Sequence, residues 1–405
     1  MNSAGTIPIG SMVPLTGPSS ADGTEFRNGV ILAVEEINAR GGILGRKLEP
    51  HFVDTTRQSA EEVVRAASFL IGKKKVHAII NGYNIGSQNS EYEQIADAGI
   101  IYIHNNTLLQ HHDTVMSDPE RYFGCFMSDP ADYWYGQGFI KFISWLRDTA
   151  QWRPENNKLA IISGPKPYSI VIANAMASVA NHFGWQVAFG PRIVGMPITD
   201  WRQVIEEARA CDPAVLVNTH FYAGDLAQFQ LQLMERPING IVYLQYGAMH
   251  QSFQEIAREK SVGIVVSTVI GLLRDEMGAA FQQKYRRRFG EASTPQVGCQ
   301  PYSSLHHYTI AASLAGGTGG PGDFEQNRII ASRLKDTPTR SVAGTIRYHP
   351  DWQAVVPYPD ATNDPSLGMP HLFYQIQDLD KEQALIAPEP YNTSRFVLPP
   401  WIKAR

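Results

Sequence analysis

Cysteine is scarce in this chain, and so is any excess of one charge. Three cysteines, Cys125, Cys211 and Cys299, stand among 405 residues. Their odd number and wide spacing exclude a disulfide framework and a zinc-ligand pattern. Each is read as a small buried apolar side chain. Lys and Arg number 35 against 39 Asp and Glu, for a net charge of −4, and the pI is about 6.3. That balance excludes the basic face usual in a nucleic-acid binder. Two basic triplets, Lys73–Lys75 and Arg286–Arg288, fall at the ends of predicted helices, where cations complement the helix dipole. No apolar run approaches the roughly 18 residues of a membrane span. The opening MNSAGTIPIG lacks a charged and apolar leader. The expectation is that an export signal or lipid anchor has been trimmed ahead of this chain and an initiator Met added.

Catalytic signatures are missing as well. Nothing matches a nucleophile elbow, HExxH, a Walker loop or a Cys-His arrangement. His111-His112 and His306-His307 are adjacent pairs, and neighbours on a helix or strand do not converge on one metal. Gly316–Gly322, GGTGGPG, has no following Lys-Ser/Thr and no strand before it, so it is a flexible loop rather than a phosphate cradle. The reading is a protein that binds without catalysis and without a cofactor or metal.

What is present is a soluble globular composition, 43% hydrophobic and 18% charged, with ample core. The length suggests two or three domains. Residues 7–54 organise the rest. Ile7, Ile9 and Met12–Leu15 form a buried strand that stops at Thr16-Gly17-Pro18. Val30, Ile31, Ala33, Val34 and Ile37 recur at helical spacing. Gly41-Gly42 ends that helix. Leu48 to Asp54 is the next strand, with Pro50 at its start or on an edge. The unit is βαβ, which implies a parallel sheet with right-handed crossovers.

The alternation continues. A helix is predicted over 59–72, strands over Val76–Ile80 and Ile100–Ile103, and polar loops at 16–23, 81–87 and 104–107. Such loops share one sheet edge, where ligands bind in open α/β folds. The stretch 122–138 reads as a crossover into a second series. That series has strands at Lys158–Ser163, Trp185–Phe189, Ala214–Asn218 and Gly240–Gln245, and a return at Gly263–Thr268. Residues 275–345 read as helices, and the tail from Thr345 as strand, Pro/Asp-rich loop, strand and extended segment.

The runs P-L-T-G and G-V-x-x-A-V-x-x-I-N-A-x-G-G-I-L-G-R-K-L, then a strand ending in D-T, resemble the opening of the type I periplasmic binding proteins. Within them the chain is similar to the branched-chain amino acid and amide/urea receptor group, the substrate-binding proteins of ABC transporters. The resemblance implies an α/β fold of two Rossmann-like lobes with parallel central sheets, joined by a three-strand hinge. The expected lobes are 1–124 plus 269–344 and 125–268 plus 345–405. A disulfide that some relatives carry early in the first lobe is absent, since no cysteine precedes Cys125. The tail resembles the amide- and urea-binding relatives, whose ends are also rich in Pro, Tyr and Trp.

The resemblance also implies a site in the cleft between the lobes. Ser87 is expected to open a helix whose free N–H groups meet an anion. Tyr83 lies in the same loop. Asn105, Asn106 and Thr107 match the family's small-small-Thr segment, with asparagine amides where alanines are common. Tyr168, in a loop, matches an aromatic lid, and Phe221, Tyr222, Gln245 and Tyr246 follow the next strands. Asp22 sits among small residues where relatives often carry an aromatic, facing an amine or amide N–H or else solvent. Ser87, the asparagines and the aromatics equally admit ordinary capping, turn and packing roles. Amino-acid-binding relatives place a carboxylate after the strand equivalent to 240–245, but Leu244–His250 has none. An ammonium buried there without a partner is costly. The expected ligand is therefore a small amide, a urea-like compound or a carboxylic acid, captured by hinge closure. A membrane permease would be its partner, with the periplasm as its location. The alternative is a cytoplasmic amide sensor of the same fold.

Overall fold

The computed structural model describes residues 5–403. The chain forms two compact units and passes between them three times. One unit holds the chain up to Ala131 together with Ile270–Pro370, and the other holds Asp132–Val269 and the chain from His371 onward.

In the first unit, β1 (Ile7–Val13), β2 (Leu48–Asp54), β3 (Ala78–Ile80), β4 (Ile101–His104) and β5 (Cys125–Met127) make a sheet in the order β2-β1-β3-β4-β5. Every pairing is parallel. Pro50 lies in β2, at the sheet's edge, where its missing N–H costs no ladder bond. Between the strands run α1 (Ser20–Ala39), α2 (Ala60–Gly72), α3 (Tyr92–Ala98) and α4 (Gln110–Ser117). Helices α10 (Glu276–Phe289), α11 (Pro295–Leu314) and α12 (Phe324–Asp336) complete the unit. The apolar stripe of α1, including Val30, Ala33 and Ile37, packs into one core with Leu305 and Tyr308 of α11. The two helices approach closely at paired glycines, for a Cβ on Gly29 would lie 2.1 Å from the Gly298 carbonyl oxygen. Helix α1 ends at Ala39 with Arg40 as its cap, and Gly41-Gly42 follow, both with positive φ, as the C-terminal glycine preference predicts.

In the second unit, β6 (Lys158–Ser163), β7 (Gln186–Ile193), β8 (Val215–Asn218), β9 (Ile241–Leu244) and β10 (Val265–Thr268) are mutually parallel. Leu372–Gln375 joins β10 antiparallel, and Ala384–Ala387 joins it in turn. Helices α5 (Tyr133–Asp148), α6 (Pro167–Ala180), α7 (Arg202–Arg209), α8 (Ala223–Leu233) and α9 (Gln251–Ala257) flank this sheet.

The structure corrects several sequence expectations. Helix α1 starts at Ser20, so Asp22 lies in its first turn rather than in a loop, where a carboxylate complements the dipole. Ser87 does not open a helix. Ile85–Ser87 is a single 3₁₀ turn, and α3 begins only at Tyr92, because Gln88 and Asn89 take left-handed backbone between them. Tyr168 is on α6, not in a loop, since Pro167 starts that helix at its first position. Residues 133–138 are helix, not crossover. The segment 345–370 belongs to the first unit. Ile346, Tyr348 and Val355 bury in that unit's core, and Met127 pairs with Ala354 beside β5. Cys125 and Cys299 are buried, whereas Cys211 is only partly so.

Candidate functional site

The strands of the first sheet all point the same way, so the loops after β1, β2, β3 and β4 share one edge. Asp54, ending β2, pins the first of them. Its carboxylate accepts from the backbone N–H of Leu15 and Thr56, both at 2.8 Å, and from the Thr16 hydroxyl at 2.6 Å. Burial works against its ionisation, but these bonds, led by the Thr16 hydroxyl, hold its pKa below the usual carboxylate value.

The same edge carries backbone strain. Thr56, Gln58, Gln88, Asn89 and Thr107 have φ between +47° and +61°. They fall in three loops, after β2, β3 and β4. Left-handed backbone is unusual for non-glycine residues, above all for β-branched threonine. Each such residue costs on the order of 1–3 kcal/mol, and such strain clusters at ligand clamps.

A buried polar network fixes these loops from behind. Asn81 Oδ1 accepts from the Met12 N–H at 2.8 Å, and Asn84 Nδ2 donates to the Met12 carbonyl at 2.9 Å. Asn84 N–H donates to Asn106 Oδ1 at 2.8 Å, and Asn106 Nδ2 donates to Asn89 Oδ1 at 2.7 Å. Both ends of the Asn106 amide are therefore occupied within the protein. Ser87 is equally engaged, with its hydroxyl 2.9 Å from the Asn84 carbonyl and 2.7 Å from Glu91 Oε2. The Tyr102 hydroxyl donates to Glu91 Oε1 at 2.8 Å. Glu91 is fully buried, and burial raises its pKa. His104 Nδ1 accepts from the Asn106 N–H at 3.1 Å, which leaves Nε2 to carry the proton toward the Tyr92 hydroxyl at 2.5 Å. That hydroxyl in turn reaches His111 Nδ1 at 2.6 Å. Burial keeps both histidines neutral, and His111 is pushed down to about 3.

Asn105 differs from its neighbours. Its backbone N–H donates to the Gly82 carbonyl at 3.0 Å, which holds it at the end of β4. Its side chain is 2% exposed, yet neither Oδ1 nor Nδ2 has a partner among the described residues. Buried amides are nearly always hydrogen-bonded, and an unmet one costs about 1–3 kcal/mol. Thr107 turns its hydroxyl back to the Asn106 carbonyl at 2.7 Å. Across the edge, the Tyr83 hydroxyl donates to Asp22 Oδ2 at 2.5 Å. The Tyr83 ring meets Phe26 edge-on.

In the second unit, the structure joins two residues that the sequence singled out separately. Gln245 Nε2 donates to the Tyr168 hydroxyl at 2.9 Å, while Gln245 Oε1 accepts from Tyr243 at 2.6 Å. Tyr168 packs into this unit's core, with Tyr135 and Phe221 edge-on to its ring. Phe221 also touches Tyr222, which is exposed, and Tyr246 lies against His250. Asp225 is the carboxylate at this edge. It accepts from the Ile198 N–H at 2.9 Å, and His220 Nε2 lies 3.2 Å away without forming a hydrogen bond.

Sequence reasoning missed Glu91, Asn81 and Asn84. Their burial depends on how three loops meet, and an Asn or Glu in a polar loop gives no sign of that. Among the described residues, no group of three His, Cys, Asp or Glu side chains is arranged to hold a metal. No described helix is long and apolar enough to cross a membrane.

Comparison with known proteins agrees with this architecture. A solved Silicibacter pomeroyi structure, provisionally assigned as a branched-chain amino acid ABC transporter, is 46% identical. It superposes with a TM-score of 0.96 over 98% of this chain and 100% of that one. The Streptococcus pneumoniae branched-chain amino acid substrate-binding protein LivJ, solved with isoleucine, is 19% identical and shares the fold, with a TM-score of 0.71 over 95% and 100% of the two chains. The Leu/Ile/Val-binding protein BraC3 of Rhizobium johnstonii is 32% identical over 97 residues, 24% of this chain and 26% of that protein. The chain thus matches about a quarter of the length of that curated relative. The family model described as "Periplasmic binding protein" matches residues 6–359, and with the shared fold it shows that the chain belongs to the periplasmic binding protein family, whose members bind solutes and are not enzymes.

Proposed function

We propose that this protein is the solute receptor of an ABC importer of the branched-chain amino acid group, working in the periplasm with a membrane permease. Its ligand is a small amide or urea-like compound, or a carboxylic acid. The observation that carries the ligand class is Asn105, a buried side-chain amide with both polar atoms unmet. Such a group is satisfied by a partner that both donates and accepts, which is what an amide, a urea or a protonated or hydrogen-bonded carboxyl group offers. Binding then recovers the cost of leaving that amide unmet.

The names of the relatives point to leucine, isoleucine and valine, and LivJ was solved with isoleucine. A free amino acid brings an ammonium that needs a carboxylate. Here Leu244–His250 has none, and Asp225 already accepts from the Ile198 N–H, with His220 beside it. Asp22, which already accepts from the Tyr83 hydroxyl, takes an amide N–H in this reading, and the segment where relatives place the partner of the ammonium stays without a carboxylate. Ligand shifts the population toward a closed form by as much as its affinities for the two forms differ. The test is a thermal-shift panel of short amides, ureas, carboxylic acids and branched-chain amino acids. Stabilisation by amides or carboxylic acids is expected, and stabilisation by leucine, isoleucine and valine alone would refute the ligand class.

A further inference from the structure

Two more buried amides at the edge of the first sheet have an unmet atom. Gln58, after β2, is 4% exposed, and its Oε1 accepts from none of the described residues. Asn89, after β3, is 6% exposed, and its Nδ2 donates to none of them. Both residues hold left-handed backbone, with φ of +61° each. Neither belongs to a helix or strand. The strain and the desolvation thus fall on the same two side chains.

Their surroundings are fixed. The Gln58 N–H donates to the Thr55 carbonyl at 2.6 Å, and the Thr55 hydroxyl donates to Asn84 Oδ1 at 2.8 Å. The Gln58 backbone runs against Gly86, where a Cβ would fall 2.5 Å from the Gln58 carbonyl oxygen. Asn89 Oδ1 is held by Asn106 Nδ2, which fixes the direction of the Asn89 amide. Asn106 immediately follows Asn105 in the loop after β4. The three loops are therefore stitched together through Thr55, Asn84, Asn89 and Asn106. The unmet atoms beside these bonds are an acceptor on Gln58, a donor on Asn89, and one of each on Asn105. All of them are neutral.

We propose that Gln58 and Asn89 are specificity-determining residues that read the planar polar group of the ligand. Gln58 Oε1 accepts a ligand N–H, and Asn89 Nδ2 donates to a ligand carbonyl oxygen. The class that fits is a primary amide or a urea, which carries both functions in one plane. A guanidinium offers N–H donors only and leaves Asn89 unmet, and a carboxylate offers acceptors only and faces Gln58 Oε1 with like polarity. This inference rests on the reading of the protein as a solute receptor and narrows its ligand.

The test is isothermal titration of the full chain with three probes, namely urea, butyramide and guanidinium chloride at low millimolar concentration. The wild type should bind urea or butyramide at least tenfold more tightly than guanidinium. Asn89→Asp replaces the donor with an acceptor and should weaken the neutral probes at least tenfold while strengthening guanidinium. Gln58→Glu keeps an acceptor, adds charge, and should likewise move the preference to guanidinium. Gln58→Asn keeps a residue tolerant of left-handed backbone but shortens its reach, and should weaken the neutral probes tenfold with the melting temperature little changed. A wild type that binds neither urea nor butyramide overturns the amide class and this inference with it. A wild type that binds them with all three variants unchanged overturns only the roles of Gln58 and Asn89. Variants that lose stability but not affinity also overturn those two roles, and make an internal water the partner of both amides.

Discussion

The Gln245 side-chain amide donates to the Tyr168 hydroxyl at 2.9 Å in the core of the second unit. Tyr168 is only 9% exposed. Its hydroxyl is the acceptor that keeps Gln245 Nε2 satisfied. Tyr168→Phe removes that acceptor and should cost about 1–3 kcal/mol. Tyr168→Ala also opens a cavity and should cost about 3–5 kcal/mol. Urea denaturation of the two variants measures both. This departs from the sequence expectation, in which Tyr168 is an aromatic lid in a loop.

Gly29→Ala places a methyl 2.1 Å from the Gly298 carbonyl oxygen. That atom is backbone, so α1 and α11 must separate. Overpacking of this kind costs about 1–3 kcal/mol. The midpoint of chemical unfolding should fall accordingly. An unchanged midpoint would mean that the two helices are not packed this closely.

Ser59 caps α2 reciprocally. Its hydroxyl accepts from the Glu62 N–H, and Glu62 Oε2 accepts from the Ser59 N–H at 3.1 Å. Ser59→Ala should destabilise by about 1 kcal/mol, read as a lowered melting temperature at pH 7.

Stability should fall as the solution is acidified below about pH 6.5, the ordinary histidine value. His307 is buried against Tyr348, with its Nε2 3.0 Å from the Thr337 carbonyl, and burial pushes its pKa down to about 4. A lowered folded pKa means that the unfolded chain takes the proton first. The stability contributed is present above pH 6.5 and is lost as pH falls through about 4. His306 and His111 act in the same sense. Glu91 acts in the opposite sense, because its raised pKa favours the folded state at low pH and that gain is lost as pH rises. Melting temperature against pH for wild type and His307→Asn should show a shallower acid slope in the variant. Identical slopes would contradict the assignment.

Much of the fold was legible because its signals are local. The apolar run at Ile7–Val13, the helical stripe of α1 and the stop at Gly41-Gly42 all lie within a few residues of what they specify. Lys158–Ser163 was legible for the same reason. The unit to which residues 345–370 belong was not. Their Pro/Asp-rich loop carries no local sign of its partner, while Ile346, Tyr348 and Val355 bury in the first unit, beside strands more than 200 residues earlier. Ser87 was misplaced because Gln88 and Asn89 take left-handed backbone, which Asn tolerates but which nothing at Gln88 signals.

The site was legible only as chemistry. Asn105 and Asn106 look alike in sequence. One has neither end of its amide bonded and the other has both. That difference arises from where Asn84 and Asn89 are carried by a different loop. Gln58 gave no signal at all, since its burial and its backbone angle are both products of tertiary structure.

The most direct test of the central claim is native mass spectrometry of the purified protein, first under gentle conditions and then denatured, to identify a small molecule that travels with it. A released amide, urea-like compound or carboxylic acid is the predicted result. Released leucine, isoleucine or valine would contradict it, and would mean that an ammonium is held here without the carboxylate that relatives supply.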